Sequence, residues 1–141
     1  MSKIAVVYWT GTGNTEAMAN AVAEGAKVQG AEVSVFTSAE FTSDMVAEYD
    51  GIAFGCPAMG DEVLEEDEFE PLFHNCIGVL GDKKVVLFGS YGWGDGEWMR
   101  NWEASSREQG LNLAADGLIW NDAPDEEGVE ACKALGAAVS K

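Results

Sequence analysis

Short apolar runs rich in β-branched residues alternate along the chain with longer stretches in which apolar positions recur every three or four residues. The short runs are typical of buried strands, and the longer stretches have the period of amphipathic helices. The predicted strands cover residues 3–9, 32–37, 51–56 and 84–90, with a fifth inside 111–120. Strands that alternate with helices indicate an α/β fold, with a parallel sheet covered by helices on both faces.

The helices between these strands are predicted from their apolar stripes and their end signals. Gly30 and Gly110 follow two of them as C-terminal glycines, and Pro124 precedes the last. The predicted helices cover residues 14–29, a short segment that begins at 43, and residues 66–76, 97–109 and 125–140. A length of 141 residues then predicts one domain that spans residues 1–141.

Glycine-rich loops follow the first, third and fourth predicted strands. In open parallel α/β sheets a ligand binds beyond the carboxyl ends of the strands, at the point where the strand order reverses. The three strands can lie side by side, so we expect the three loops to meet at one edge of the sheet. This arrangement predicts a ligand site built from all three loops.

The charge balance narrows the possible partners. The chain has 8 Lys and Arg residues against 25 Asp and Glu residues, a formal net charge of −17. Nucleic-acid phosphates and anionic membrane surfaces repel such a protein. Its partners are therefore expected to be basic proteins, attracted by a salt-sensitive field.

The cysteine and histidine content argues against structural metals and disulfides. The chain has 3 cysteines without a C-x-x-C pair, and 1 histidine. No EF-hand spacing occurs in the sequence either, so no metal site is predicted. The first apolar run is too short for a membrane span and lacks a signal cleavage pattern. The sequence therefore predicts a reduced, cytoplasmic protein.

The loop after the first strand reads T-G-T-G-N-T and can hold a phosphate monoester. Its glycines permit a sharp turn that points backbone N–H groups at one spot, and the following helix N-terminus adds partial positive charge. The loop has neither a P-loop lysine nor a G-x-G-x-x-G spacing, which argues against nucleoside triphosphates and dinucleotides. Simple capping of the helix is the less favoured alternative. The phosphate ligands predicted here are Thr10, Gly11, Thr12, Gly13, Asn14 and Thr15.

The T-G-T-G-N-T loop resembles the FMN-phosphate loop of the flavodoxins. Residues 55–62 (GCPAMGDE) and 88–99 (FGSYGWGDGEWM) resemble the other two flavin loops of that family. The resemblance covers nearly the whole chain and is greatest to the short-chain flavodoxins of anaerobic bacteria. It implies a flavodoxin-like three-layer sandwich, with a doubly wound five-stranded parallel sheet in the order 2-1-3-4-5. It also implies a monomeric electron carrier that binds FMN non-covalently and has no substrate of its own.

The same resemblance assigns roles to individual residues. Met59 and Trp93 would cover the inner and outer faces of the flavin ring, Glu62 would accept a hydrogen bond from N3–H, and Asn121 would approach the ribityl or phosphate end. On the residues alone, core packing of Met59 and Trp93 and a solvated Glu62 are the alternatives. The expected FMN contacts beyond the first loop are Ala58, Met59, Gly60, Asp61, Glu62, Ser90, Tyr91, Gly92, Trp93, Gly94 and Asn121.

The Gly60-Asp61 peptide would stabilise the neutral semiquinone by turning its carbonyl toward flavin N5–H, because glycine tolerates a positive φ. Acidic neighbours such as Glu62 and Asp95 would disfavour the anionic hydroquinone, since like charges repel in a partly dry site. The carrier would therefore shuttle between semiquinone and hydroquinone at low potential. Acidic clusters after the third, fourth and fifth strands would form a rim that steers transient, basic redox partners. A solvated surface that aids solubility is the alternative.

Two other functions fit the fold alone. A flavin-dependent quinone or nitro-group reductase would need a nicotinamide pocket, yet cationic residues are almost absent near the flavin loops and Arg100 is the nearest in sequence. A phosphoacceptor receiver needs acids after the first and third strands and a Lys after the fifth, where this chain has Trp9-Thr10, Cys56-Pro57 and Trp120-Asn121. The receiver is excluded, and the reductase remains the alternative. No catalytic residue is predicted.

Several further residues are expected to be structural. Trp98 and Trp102 are one helical turn apart and should pack on one face of their helix. Cys56 and Cys132 are expected to be buried and inert. His74 has no nucleophile or metal ligand beside it in the sequence, so we expect a surface or half-buried histidine.

Overall fold

The computed structural model of the chain describes residues 2–11, 13–59, 64–92, 94 and 96–140. The strands are β1 (Lys3–Tyr8), β2 (Glu32–Thr37), β3 (Gly51–Gly55), β4 (Lys84–Tyr91), β5 (Asn112–Leu113) and β6 (Leu118–Asn121). The helices are α1 (Asn14–Val28), α2 (Phe69–Leu80), α3 (Glu97–Glu108) and α4 (Glu126–Ser140), and a 3-10 helix covers Ser43–Glu48. Within these described ranges, no helix is both long and apolar enough to cross a membrane.

All strand pairs in the sheet are parallel, and the strand order is β2-β1-β3-β4-β5, with β6 also paired to β4. The predicted order 2-1-3-4-5 is therefore confirmed. The predicted fifth strand is divided, because β5 pairs with the start of β4 and β6 pairs with its end. Between the two segments the backbone at Gly117 passes close to α3, where a Cβ would lie 2.6 Å from Sδ of Met99. The N–H of Gly117 donates to the Glu103 carboxylate of the same helix at 2.8 Å.

Alternate residues of each central strand point to opposite layers, so the sheet has a core on each face. On one face, side chains such as Phe54 pack against α2 and α3, which contribute Phe69, Phe73 and Trp102. On the other face, β-strand residues such as Val6 pack against α1 and α4, whose buried positions are mostly small. The predicted three-layer sandwich is confirmed, with one aromatic-rich core and one alanine-rich core.

The start of α2 differs from the prediction. The helix begins at Phe69 rather than Glu66 and continues to Leu80 rather than 76. Residues 66–68 instead form turns. The carboxylate of Glu65 accepts the backbone N–H groups of residues 67, 68 and 69, and these bonds hold the turn in place of the first helical bonds.

The expected structural residues are placed as predicted. Trp98 and Trp102 are buried on one face of α3. Cys56 and Cys132 are fully buried, and burial raises the pKa of each thiol to about 12, which keeps both thiols protonated and unreactive. His74 lies exposed on α2.

Candidate functional site

The three glycine-rich loops meet at the carboxyl edge of the sheet, as predicted from their positions after β1, β3 and β4. A pocket of about 270 Å³ lies between them. The loop residues that line it are Trp9, Gly11, Asn14, Pro57, Ala58, Met59, Ser90, Tyr91 and Gly92, and Asp122 after β6 completes the wall. The pocket therefore occupies the switch point between β1 and β3, where open α/β sheets bind ligands.

The first loop presents an uncapped helix N-terminus to this pocket. Gly13 precedes α1 with φ +95°, a left-handed conformation that glycine adopts without strain, and a glycine at this N-cap position has no side chain with which to cap the helix. The N–H of Gly13 donates to Oγ1 of Thr10 at 3.0 Å. Gly11 and Asn14 line the pocket, whereas Thr12 lies outside the described residues. The helix N-terminus and its dipole give this end of the pocket the character of an anion site.

Thr15 fastens this loop to the strand next to it. Its Oγ1 lies 3.0 Å from Oγ of Ser90, and the Ser90 N–H donates to the same Thr15 oxygen at 3.4 Å. Both side chains are buried. The sequence predicts both residues as cofactor ligands; in the structure they bond to each other, and Ser90 also lines the pocket.

The second loop is held at both ends. At its start the N–H of Ala58 donates to the Ser90 carbonyl at 3.0 Å. At its end the N–H of Glu65 donates to Sγ of Cys56 at 3.4 Å. Ala58 and Met59 line the pocket, as the prediction of flavin contacts requires. The predicted ligands Gly60, Asp61 and Glu62 lie outside the described residues.

Glu65 is a buried carboxylate that organises the exit from this loop. Burial acts to raise the pKa of its carboxyl, but hydrogen bonds from the backbone N–H groups of Phe69, Glu68 and Asp67 outweigh burial, and the pKa lies below its ordinary value. The distances of those bonds are 2.8, 2.7 and 2.9 Å. Glu65 therefore stays ionised at neutral pH and acts as a fixed acceptor.

The third loop contributes Tyr91 and Gly92 to the pocket wall. The Tyr91 ring also contacts the ring of Trp98, with centroids 5.6 Å apart, so the wall is supported from the core. Gly94 is exposed and is not among the residues that line the pocket. Trp93, predicted to cover the flavin ring, lies outside the described residues, as does Asp95.

The loop after β6 closes the pocket through Asp122 rather than Asn121. The Asn121 side chain donates to the Tyr91 carbonyl at 3.2 Å, and the Asp122 N–H donates to the same carbonyl at 2.8 Å. Asp122 has φ +59°, a conformation that Asp tolerates better than most residues. Asp122 is absent from the predicted contacts, and its position directly after the end of a strand is the sequence signal that could have identified it.

Trp9 and Pro57 are also wall residues that the predicted contact set omits. Trp9 packs against the aromatic core and also lines the pocket beside the first loop. Both residues lie just beyond the end of a strand. An aromatic or rigid residue at that position is the sequence signal that could have added them.

The chemistry of the described lining fits FMN. One end offers neutral donors at an uncapped helix N-terminus, which suits a phosphate, and the walls offer Trp9, Met59 and Tyr91, which suit a flat aromatic ring. None of the described lining residues is Lys, Arg or His. Neutral donors would therefore hold the phosphate charge, and Asp122 would add a negative charge nearby.

Comparison with known proteins gives the same family. The family model described as Flavodoxin matches residues 6–136. The chain is 44% identical to a flavodoxin of Megasphaera elsdenii, over 98% of both chains. It is 46% identical to a flavodoxin of Clostridium beijerinckii, over 86% of this chain and 88% of the relative. The solution structure of the two-electron reduced Megasphaera elsdenii flavodoxin superposes with a TM-score of 0.88, at 45% identity, and covers 97% of this chain and 98% of that one. The chain therefore belongs to the flavodoxins, FMN-binding electron carriers that are not themselves enzymes.

Proposed function

We propose that this flavodoxin is a low-potential carrier that moves one electron at a time, with FMN shuttling between its semiquinone and hydroquinone states. The observation that supports this proposal most is the pocket after β1, β3 and β4, whose described lining contains no cationic side chain. Such a site holds a phosphate through neutral donors and does little to stabilise further negative charge. We therefore expect the second electron to enter only at low potential.

The electrostatic part of the argument rests on charges around the pocket. Asp122 lines it, and the whole chain carries a net charge of −17. An electron added without a proton makes the flavin anionic, and carboxylates close to an anion in a partly dry site raise its free energy. The protein therefore binds fully reduced, anionic FMN less tightly than oxidised FMN.

The Gly60-Asp61 peptide is proposed to favour the half-reduced state. Both residues lie outside the described ranges, so the support comes from the sequence and from the neighbouring anchors. Glycine can turn its carbonyl toward flavin N5–H at little cost in backbone strain. Ala58 and Glu65 are hydrogen bonded on either side of this peptide. A rotation of the peptide can therefore be confined to the segment between those two residues.

The proposed partners are redox proteins with basic docking surfaces, met by the protein in the cytoplasm. Exposed carboxylates lie beyond the carboxyl ends of the strands, and we call these residues the acidic rim: Glu66, Asp67, Glu97, Asp125, Glu126 and Glu127. A rim of negative charge next to a redox centre speeds the encounter with a cationic protein surface and does not require tight binding.

Stepwise anaerobic reduction of the purified protein, followed by visible absorption, tests the proposed redox cycle. We expect a neutral, blue semiquinone to accumulate before the spectrum bleaches. A direct change from oxidised to fully reduced flavin would contradict the one-electron cycle. In Gly60→Ala we expect the gap between the two one-electron potentials to change; the same gap in both proteins would rule out the peptide flip.

A further inference from the structure

Trp98 connects the second and third glycine-rich loops from within the protein. It is the second residue of α3 and is buried, and it is not among the described residues that line the flavin pocket. One of its contacts is with Cys56, at the entry of the second loop. Another is with Tyr91, at the start of the third loop. Trp98 can therefore influence the pocket without touching what the pocket binds.

The contact with the second loop is a hydrogen bond to a peptide that can be held in only one way. The Nε1–H of Trp98 donates to the Cys56 carbonyl at 3.2 Å, and the bond is buried. Because Pro57 follows, the Cys56-Pro57 peptide has no N–H, and its carbonyl is its only hydrogen-bonding group. The indole therefore fixes the peptide from which the second loop leaves the sheet.

This bond takes the place of a bond in the sheet. The N–H groups of Cys56 and Ala58 both donate to carbonyls of β4 at 3.0 Å, so the pairing pattern continues beyond the end of β3. In a regular parallel ladder the Cys56 carbonyl would accept the Ser90 N–H. The Ser90 N–H donates to Oγ1 of Thr15 at 3.4 Å, and the Cys56 carbonyl accepts the Trp98 indole. The position of the second loop thus depends on a side chain of α3 as well as on β4.

Gly89 provides the space for this bond. A Cβ at Gly89 would lie 2.1 Å from the Cys56 carbonyl oxygen and 3.2 Å from Cζ2 of Trp98. Any side chain at this position would therefore push the carbonyl away from the indole. The close packing leaves little room for the loop entry to shift while Trp98 is in place.

The contact with the third loop is made by the ring of Trp98. Its centroid lies 5.6 Å from that of the Tyr91 ring. Tyr91 lines the pocket, as do Ala58 and Met59 of the second loop. One indole therefore holds two walls of the pocket, one through its N–H and the other through its ring.

Trp102 lies one turn further along α3 and provides a matched comparison. The two tryptophans are 2% and 3% exposed, so they are equally buried. Trp102 packs edge to face against Phe69 and Phe73, and its Nε1–H has no hydrogen-bond partner among the described residues. The two indoles therefore differ in whether the N–H holds a loop of the pocket.

We propose that Trp98 is a positioning residue for FMN. Its N–H sets the entry of the second loop and its ring sets the start of the third, so that the two loops stand at a fixed separation. This inference rests on FMN binding and does not depend on the proposed redox cycle.

Replacing one indole at a time by benzothiophene, which has the same shape but no N–H, tests the hydrogen bond in the full chain. With the analogue at Trp98, the dissociation constant for FMN should rise roughly three- to tenfold, as expected for the loss of one hydrogen bond. With the analogue at Trp102, it should stay within about twofold of wild type, because no bond is lost. Equal dissociation constants for the two analogues would overturn the proposal.

Hydrogen exchange of the FMN-loaded protein shows where the change acts. The Ala58 amide, which is bonded to β4, should exchange roughly tenfold faster with the analogue at Trp98, relative to the Val6 amide in the core. The analogue at Trp102 should leave this ratio unchanged. An unchanged ratio with the analogue at Trp98 would contradict positioning of the loop entry.

A second pair of variants separates positioning from a general loss of stability. Trp98→Phe and Trp102→Phe remove the same volume from the same face of α3, so both should lower the thermal stability of the apoprotein. Only Trp98→Phe should also weaken FMN binding, by roughly tenfold or more, because it removes the donor and part of the ring contact. FMN affinities that fall equally in the two variants would show that Trp98 has a structural role only.

Discussion

The backbone N–H of Glu65 donates a hydrogen bond of 3.4 Å to Sγ of Cys56. The two residues lie on either side of the second flavin loop, so this bond joins the exit of the loop to its entry. The side chain of Glu65 at the same time holds the turn that leads into α2. Glu65 therefore couples the stability of the aromatic layer to the geometry of a loop that lines the flavin pocket.

The first prediction concerns Glu65→Gln. An amide keeps one acceptor oxygen but places a donor NH₂ where the second carboxylate oxygen accepted a backbone N–H. We expect a loss of about 1–3 kcal/mol in the free energy of unfolding, as is usual when a buried hydrogen bond to a charged group is broken. Urea unfolding of the apoprotein measures it. The matched control is Glu66→Gln at the exposed neighbouring position, which should change stability by less than about 0.5 kcal/mol.

The second prediction is the pH dependence of this contribution. Because the pKa of Glu65 is lower in the folded protein than the ordinary value of 4.5, the folded state favours the ionised form. Its contribution is therefore complete above pH 4.5 and is lost as the pH falls through the lower, folded-state pKa. The stability difference between wild type and Glu65→Gln should be constant near neutral pH and should shrink as the pH is lowered through 4.5 and below. A difference that stays constant as the pH is lowered in this way would contradict the assignment.

Much of the fold could be predicted because its signals are local. Apolar runs predict the strands, and glycine-rich loops after three of them predict the edge at which the pocket forms. The start of α2 could not be predicted, since it depends on Glu65 turning its carboxylate onto three later N–H groups. The division of the fifth strand depends on the approach of Gly117 to Met99, a contact between elements distant in sequence.

In the candidate site, too, the local sequence determines the positions of some residues, and contacts between distant elements determine the positions of others. Gly11 and Asn14 of the first loop, which are predicted as phosphate ligands, line the pocket, because a glycine-rich strand-to-helix turn determines their positions. The contribution of Asp122 depends instead on β6 pairing with the end of β4, which the spacing of residues along the chain does not reveal. Thr15 illustrates a third case, in which a residue predicted to bind a ligand is buried against another side chain.

The third prediction concerns the hydroxyl pair that joins the first and third loops. Thr15→Val keeps the shape of the side chain and leaves Ser90 Oγ without its buried partner, so we expect a loss of about 1–2 kcal/mol in the free energy of unfolding. The dissociation constant for FMN, measured by quenching of flavin fluorescence, should also rise, because the first loop is no longer fixed to β4. Thr15→Ser retains the hydroxyl and should remain close to wild type in both measurements. Unchanged FMN affinity in Thr15→Val would show that the pair is structural only.

The fourth prediction uses two glycines that lie in helices. Gly25 in α1 faces α4 so closely that a Cβ would lie 2.0 Å from the Lys133 carbonyl oxygen, whereas nothing lies within 4 Å of a Cβ at Gly78 in α2. Gly25→Ala should force the two helices apart and destabilise the protein by about 1–3 kcal/mol. Gly78→Ala should instead stabilise it by about 0.5–1 kcal/mol, because alanine has the better helix propensity. Thermal unfolding of both variants measures the contrast, and a shift of the same sign would contradict the helix packing.

The last prediction tests whether the acidic rim docks partners or only aids solubility. Neutralising three exposed rim carboxylates should slow electron transfer to a basic cytochrome at low ionic strength, with a weaker salt dependence, because the attraction that brings the two proteins together is reduced. These rim changes are Glu66→Gln, Asp67→Asn and Glu126→Gln.

A matched control removes the same charge from exposed positions outside the rim, with the changes Glu24→Gln, Asp82→Asn and Glu108→Gln. Both triple variants raise the net charge of the chain from −17 by three units, so net charge alone would affect them equally. If the rim is instead a local docking surface, electron transfer should be slower only in the rim variant. Stopped-flow rates of electron transfer, measured from about 10 to about 500 mM salt, distinguish these two explanations. Screening should remove the difference between the rates of the two variants at the highest salt concentration. Equal slowing of both variants would mean that the rim has no docking role beyond its share of the total charge.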